Sequence, residues 1–485
     1  MAAVTVAEMR EIEKRAIDAG VSENDLMEMA GAALGRAIAS QFPGTAMAVG
    51  YIGKGHNAGD TLIALRVLRE EFGWKIGVRS AYAVEEWAEL TRAQKVSECD
   101  TSPEDFHGPL LLLDGLLGIG AKGALREPLA GLAREMETLR RTRGARVVAV
   151  DLPSGVDPDN GGIFPGAVVA DRTFMIGAAK TGLLMAGAAN SVGSLALVAV
   201  PGLEGEDGGM ELIAPQSMDF GKAPREFAFH KGKAGRVGIV AGSLSFSGAA
   251  LISTLGAIRA GGGLVTLYAR EEACDAIRAR LPPEAMLKPC DDPTELLDEK
   301  LDAIVVGPGL GEMTDGFSKK LLRLISETEV PMVVDADGLN LISRHDVKLN
   351  RNHVLTPHPG EFQRLAPKLE GKRREEAARE FVTETDTILL LKGARTIVAK
   401  NGEPLRVNST GTPAMSNGGQ GDLLSGLIGA LLAGGMKPFD AASFGAWLCG
   451  HAAELSVEKH GDVCTATDTA AELGAAMRSW RRGTR

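Results

Sequence analysis

Apolar residues recur every third or fourth place over residues 5–20 and 22–40, the spacing of two amphipathic helices, with Ser22 or Asn24 placed to cap the second. The pattern then changes to a short unbroken apolar run, residues 46–52, which flows into G-K-G-H-N-A-G-D (Gly53 to Asp60) and then into a helical period from Thr61 to Phe72. Strand, glycine-rich turn and helix, in that order, form the phosphate-binding unit of a doubly wound sheet. Residues 109–113 read as a strand that ends at Asp114 and opens into G-L-L-G-I-G-A-K-G-A, and residues 145–150 as another that ends at Asp151 and opens into L-P-S-G-V-D. A further strand, residues 172–176, leads to G-A-A-K-T-G with Lys180, and residues 195–200 close the unit. Any one of these aspartates could be a turn former. Together they predict polar loops clustered at the carboxyl edge of one parallel sheet, where such folds bind ligands.

The glycine- and acid-rich string P-G-L-E-G-E-D-G-G-M (Pro201 to Met210) reads as part of a connection, and a new periodicity starts near Phe227. Strands are expected at residues 236–241, 264–268, 303–306, 330–334, 354–355 and 387–391, then a hairpin over residues 397–407 turning at Asn401-Gly402. Loops rich in glycine and polar residues follow most of them: G-S-L-S-F-S-G-A-A, G-P-G-L-G, D-A-D-G-L-N, T-P-H-P-G-E-F and K-G-A-R-T. The last is N-G-G-Q-G-D-L-L-S-G-L-I-G-A (Asn417 to Ala430), in which Gly418, Gly419 and Gly421 precede an apolar helical run. Tight turning there leaves N–H groups free at a helix start, an anion seat, and Asp422 would stand beside any phosphate bound in it. Taken alone, the string also reads as a glycine-rich turn with a capping aspartate. The prediction is α/β with two domains, residues 1–205 and 227–485, joined by a linker over 206–226.

Composition narrows the function. A chain of 485 residues exceeds one core, and its 45% apolar and 24% charged content is that of an ordinary globular protein. A net charge of −10 without a long basic block argues against nucleic acid or an anionic membrane as partner. Cys99, Cys274, Cys290, Cys449 and Cys464 are odd in number and scattered, with no C-x-x-C pair, which suggests neither a disulfide framework nor a zinc site and fits a reducing cytoplasm. The first residues lack the apolar core of a signal peptide, and no apolar run is long enough to span a bilayer.

The ordered set of motifs resembles the bifunctional NAD(P)H-hydrate repair enzymes over nearly the whole chain. The first half resembles their epimerase domain, a Rossmann-like doubly wound α/β/α sandwich, and the second their ribokinase-like dehydratase domain. The resemblance implies interconversion of the R and S hydrates of NADH and NADPH (NADHX and NADPHX) by the first domain, and dehydration of the S form by the second, driven by ADP. It implies K+ on Asn57, Asp114 and Ser154, oxygen donors suited to a hard cation. It places substrate on His56, Asn57, Ala58, Gly59 and Asp60, on the loop Gly118, Ile119, Gly120, Ala121, Lys122, Gly123 and Ala124, and on Asp151, with Asp151 and Lys180 as proton-transfer candidates. In the second domain it implies hydrate contacts from Ala249, Gly309, Gly311, His358 and Asp422. Lys392, Gly393, Ala394, Arg395, Thr396, Gly419 and Gly421 would hold the nucleotide with Mg2+, and Asp422 would be the base. A homo-oligomer is expected.

The family's N-N-G-G-D stands here as His56 to Asp60, so that a methyl at Ala58 would crowd the ligand if that position needed positive φ. Leu117 and Gln420 replace a common Phe and Met. Two rival readings stand beside this one: a first domain that only binds or scaffolds, and a second that is an ordinary vitamin kinase.

Overall fold

The computed structural model describes residues 2–94, 106–206, 208–215, 218–220 and 226–483, in two compact units, Met1–Leu212 and Ile213–Arg485. Cys99 lies outside the described residues, and the other four cysteines are free and buried.

The first unit is built on a six-stranded, wholly parallel sheet in the order Lys75–Ser80, Met47–Ile52, Leu110–Gly115, Arg146–Val150, Arg172–Ile176, Ser194–Val198. All six residues of Met47–Ile52 are buried, as expected of a central strand covered on both faces. Phe174, with no exposed surface, fills the sheet's core; cutting it to Ala would cost about 3–5 kcal/mol. The chain starts at Met47–Ile52, steps one way to Lys75–Ser80, then returns to Leu110–Gly115 on the other side. That reversal opens a crevice beyond the carboxyl ends of the two inner strands. Helix Glu23–Gln41, capped by the Ser22 hydroxyl, packs on helix His56–Phe72. The approach needs glycine: a Cβ on Gly31 would lie 2.5 Å from the Cβ of Ile63.

Two sequence expectations change here. The helix expected from Thr61 begins at His56, so the second half of G-K-G-H-N-A-G-D is the first helical turn rather than a loop. Asn57, Ala58 and Gly59 are buried in it, and Ala58 has a helical backbone and packs with Ile52, Leu62 and Trp87. The feared crowding at positive φ does not arise. Gly59 is held to glycine by packing, since a Cβ there would meet the Met27 sulfur at 2.4 Å. The second change is a strand, Met210–Ile213, within the segment read as connection. Its glycines and acids hid an apolar alternation of only four residues.

The second unit carries nine strands in the order Ala285–Pro289, Leu264–Ala269, Arg236–Val240, Ala303–Val306, Met332–Val334, His353–Leu355, Ile388–Leu391, Ile397–Ala399, Leu405–Asn408. The first seven are parallel; Ile397–Ala399 runs antiparallel to both neighbours, the hairpin foreseen around Asn401-Gly402. Helices Ser247–Arg259 and Gln420–Ala433 cross in near-backbone contact, because a Cβ on Gly426 would fall 1.8 Å from the Ser253 carbonyl. Behind them Trp447 and Trp480, both fully buried, meet edge to face at 4.7 Å. Among the described residues no helix is long and apolar enough to cross a membrane.

Candidate functional site

Each unit gathers its chemistry at the carboxyl edge of its sheet. In the first, a cavity of about 510 Å³ sits at the reversal point and is lined by residues including Arg10, Glu13, His56, Asn57, Asp60 and Asp151, with the loop Leu116–Ala121. The loop supplies Gly118, Ile119, Gly120 and Ala121 to the wall, whereas Lys122, Gly123 and Ala124 continue beyond it.

Asp151 follows the strand Arg146–Val150 with φ +65°, one of three non-glycine residues with positive φ among the described residues. The cramped backbone is over-determined by its surroundings, as at many working sites. Its N–H donates to Phe174 O at 2.9 Å, and its Oδ1 accepts the Ile176 N–H at 2.9 Å and the Lys180 ammonium. Lys180, 1% exposed, also donates to the Ile176 carbonyl at 2.8 Å. Breaking so enclosed a pair by removing one partner costs about 3–5 kcal/mol. Asp60 and Glu13 share the space. Burial pushes the Asp60 carboxyl well above its usual range, reinforced by Asp151 and Glu13. Burial also raises Glu13, against the pull of Lys180 and with the push of Asp151. Sequence reading missed Glu13. Its signal was an acid beside the apolar stripe Met9, Ile12 and Ala16, a place a solvated glutamate also occupies.

Asn57, Asp114 and Ser154 meet around one loop. Asp114 is fully buried; its oxygens accept the Ser154 hydroxyl and N–H, each at 2.7 Å, and the Leu116 N–H at 3.3 Å. The Ser154 hydroxyl accepts the Leu117 N–H at 3.0 Å, and the Asn57 amide donates to the Leu117 carbonyl at 3.0 Å. Burial lifts the Asp114 carboxyl to about 6, relieved only by these neutral donors. Among the described residues its bonded neighbours supply no cationic side chain, so an oxygen-seeking cation fits the place.

In the second unit, Gly419 caps helix Gln420–Ala433 with φ +95°, and Asp422 is the third helical residue, not the cap. Gly421 faces Lys392, whose ammonium would lie 3.2 Å from a Cβ placed there. Lys392 donates to Asp335 Oδ1 at 2.9 Å and stands 3.9 Å from Glu361 Oε2, while the Ser425 hydroxyl donates to Asp335 Oδ2. Burial works against the Lys392 charge, but Asp335 and Glu361 outweigh it and hold the ammonium above its usual value. Asp422 is pushed up to about 7, first by burial and then by Asp335, with Asp337 and Glu361 adding to it and Lys392 opposing. A carboxyl balanced there can take a proton near neutrality.

Around this centre the expected residues divide. Gly309, φ +61°, abuts Ala249 and Phe246, and Gly311 donates its N–H to Asp337 at 2.8 Å. His358 caps helix Pro359–Leu365 through its ring and its N–H donates to Glu361 at 2.8 Å; the ring is half exposed. Gly393 and Ala394 form an exposed turn closed by Thr396, which donates to the Gly393 carbonyl at 3.1 Å; Arg395 is buried. The turn is buttressed by Arg374, which donates to the carbonyls of Leu391 and Lys392 at 3.1 and 2.9 Å. Asp335, Glu361 and Arg374 were missed, since nothing local links residues 335 and 425 before the sheet brings them together.

The family profile described as YjeF-related protein N-terminus matches residues 23–182, and that described as NAD(P)H-hydrate dehydratase matches residues 237–474. A bifunctional NAD(P)H-hydrate repair enzyme of Gloeobacter violaceus is 36% identical over 94% of this chain and 94% of its own. Its namesake in Pyrobaculum aerophilum is 33% identical over 99% of each chain, and that of Escherichia coli 33% over 94% and 89%. Among solved structures, a ribokinase-like superfamily protein of Enterococcus faecalis superposes with a TM-score of 0.50 at 26% identity, covering 56% of this chain and 96% of that one. The fold, the two profiles and relatives matched end to end agree: the chain belongs to the family of bifunctional NAD(P)H-hydrate repair enzymes.

Proposed function

We propose that the first unit interconverts the R and S hydrates of NADH and NADPH and that the second returns the S hydrate to the reduced cofactor at the expense of ADP. One observation carries the second half of this reading: Asp422, in the first turn of the helix that Gly419 caps, is lifted to about 7 by burial and by Asp335, with the Lys392 charge opposing.

Hydroxide leaves poorly, so the C6 hydroxyl is first converted to a phosphate ester. Asp422 takes the hydroxyl proton as the oxygen attacks the terminal phosphoryl group. The N–H groups at Gly419 and Gly421 and the Lys392 ammonium receive the phosphate charge. Phosphate then departs as the ring nitrogen pushes electrons and a C5 proton is lost, restoring the 5,6 double bond. Gly393 to Thr396 hold the nucleotide, and Ala249, Gly309, Gly311 and His358 face the hydrate. Among the described residues the carboxylates of Asp335, Asp337, Glu361 and Asp422 are opposed by the Lys392 ammonium, a setting suited to Mg2+ carried on the nucleotide, which would neutralise phosphate charge when bound.

In the first unit, Asn57, Asp114 and Ser154 are the residues that would hold K+, compensating a buried carboxylate that has only neutral partners. His56 to Asp60 and Gly118 to Ala124 bind the dinucleotide, and Asp151 with Lys180 serves the reacting ring. The kinase rival is not favoured, because the profile over residues 237–474 is that of a dehydratase. The deciding experiment follows NADH absorbance with purified S hydrate, supplying ADP and ATP side by side. Recovery of NADH supports the reading. Nucleotide consumption that leaves the hydrate untouched and phosphorylates a vitamin defeats it.

A further inference from the structure

We propose that Glu13 is a second catalytic residue of the first-unit site, giving its proton to the departing C6 oxygen while Asp151 receives one from the water that returns on the opposite face. The assignment rests on the hydrate-epimerising reading above. Inverting C6 by exchange of water requires the oxygen to leave one face of the ring and arrive on the other. A single carboxyl fixed at a strand end serves one of those faces. The other needs a group from a different element.

Glu13 meets that requirement. It stands on helix Val6–Asp18, one turn after Arg10, and both line the same cavity as His56, Asp60 and Asp151. The helix is anchored to this site twice. Its first N–H donates to Asp159 at 2.7 Å, and the preceding Ala3–Val4 pairs in parallel with Ala179–Lys180. The two carboxyls are differently occupied. Asp151 Oδ1 is engaged by the Ile176 N–H and by Lys180. Among the described residues Glu13 has no ion pair and no side-chain hydrogen bond. Glu13, Asp60 and Asp151 thus line one cavity together with the exposed Arg10 and His56, and the buried Lys180 pairs with Asp151. Burial and Asp151 favour the protonated form of Glu13; Lys180, His56 and Arg10 oppose it, and the net shift is upward. The unbonded carboxyl is also one inclined to carry a proton.

The step balances without an oxidant or reductant. The C6–O bond breaks as the nitrogen lone pair forms the N1–C6 double bond, and the oxygen leaves as water with the Glu13 proton. A water then adds to C6 from the other side, the electron pair returns to nitrogen, and Asp151 accepts the proton released. Transfer of that proton back to Glu13 through the cavity water resets the site, and reversal of the sequence carries the opposite epimer.

The test uses the full chain, with R-to-S exchange of NADH hydrate followed by chromatography across pH in the presence of K+. Glu13→Gln is expected to slow exchange by about 100-fold or more and to abolish the alkaline limb of the pH profile, which reports loss of the Glu13 proton. Dehydration of the S hydrate by the same protein should match the parent. Glu13→Asp keeps the carboxyl and the charge; it should retain the limb with a smaller loss, and it decides the matter if Glu13→Gln melts. Exchange by Glu13→Gln within about threefold of the parent, the parent's limb persisting in that variant, or a limb missing from Glu13→Asp would each overturn the assignment. A parent chain that does not exchange the epimers sinks the epimerase reading and this assignment with it. An active parent indifferent to Glu13 sinks the assignment alone.

Discussion

The two sites use the same pair of groups, a carboxylate and a lysine at the edge of a parallel sheet, and differ in which one is tied down. In the first, Lys180 is 1% exposed and donates to both the Asp151 carboxylate and the Ile176 carbonyl. In the second, Lys392 keeps 21% of its side chain in solvent and pairs with Asp335, leaving Asp422 with its raised carboxyl beside the helix start. A sealed pair suits proton traffic at the reacting ring. A lysine within reach of solvent suits a site that must accept phosphate.

The comparison breaks first at Asp422. Asp422→Ala should lower nucleotide-dependent recovery of NADH by about 10³-fold, with epimer exchange unchanged; activity within a few fold of the parent would contradict its role as base. Lys180→Met leaves Asp151 enclosed without its cation, so melting of the first unit should show a loss of about 3–5 kcal/mol. Epimer exchange should fall with it while dehydration persists. A variant as stable as the parent would mean that the pair is not sealed.

The raised Asp422 sharpens the contrast through pH. As a base it works ionised, so dehydration should rise through about pH 7 and stand at roughly a tenth of its plateau at pH 6. A rate flat from pH 6 to 8, under conditions where chemistry limits, removes Asp422 from the proton step. The stability sign is opposite: the folded carboxyl binds its proton more tightly than the unfolded one, so stability is gained as pH falls from about 7 towards 4. Asp422→Asn should therefore melt a few degrees higher than the parent above pH 7, a gain seen by calorimetry that vanishes near pH 4. Smallest is Gly421→Ala: its methyl would press on Lys392 from 3.2 Å and should raise the nucleotide KM several-fold with little change in kcat. An unchanged KM would place the phosphate elsewhere.

What the sequence made legible depended on the distance over which each feature is specified. Asp114, Asp151 and Asp422 could be found because an apolar run borders each, and the period of that run locates a strand end or a helix start. The start of helix His56–Phe72 was misplaced because the glycines at 53 and 55 resemble a longer loop, and the helix absorbs His56 to Asp60 without positive φ. The Lys392–Asp335–Ser425 arrangement joins positions 57 and 90 residues apart, which only the sheet order of the second unit brings together. Glu13 was invisible for a related reason. Its helix was foreseen, but the cavity it borders is closed by residues from five other stretches of chain.

The parallel ladder between Ala3–Val4 and Ala179–Lys180 also has a meaning in time. A ribosome delivers residue 180 on the order of ten seconds after residue 3, at about 5–20 residues per second. Throughout that interval Ala3–Val4 lacks its partner strand, and Met9, Ile12 and Ala16 have only the earlier-made part of their core, such as Leu26, Leu34 and Leu65, to pack on.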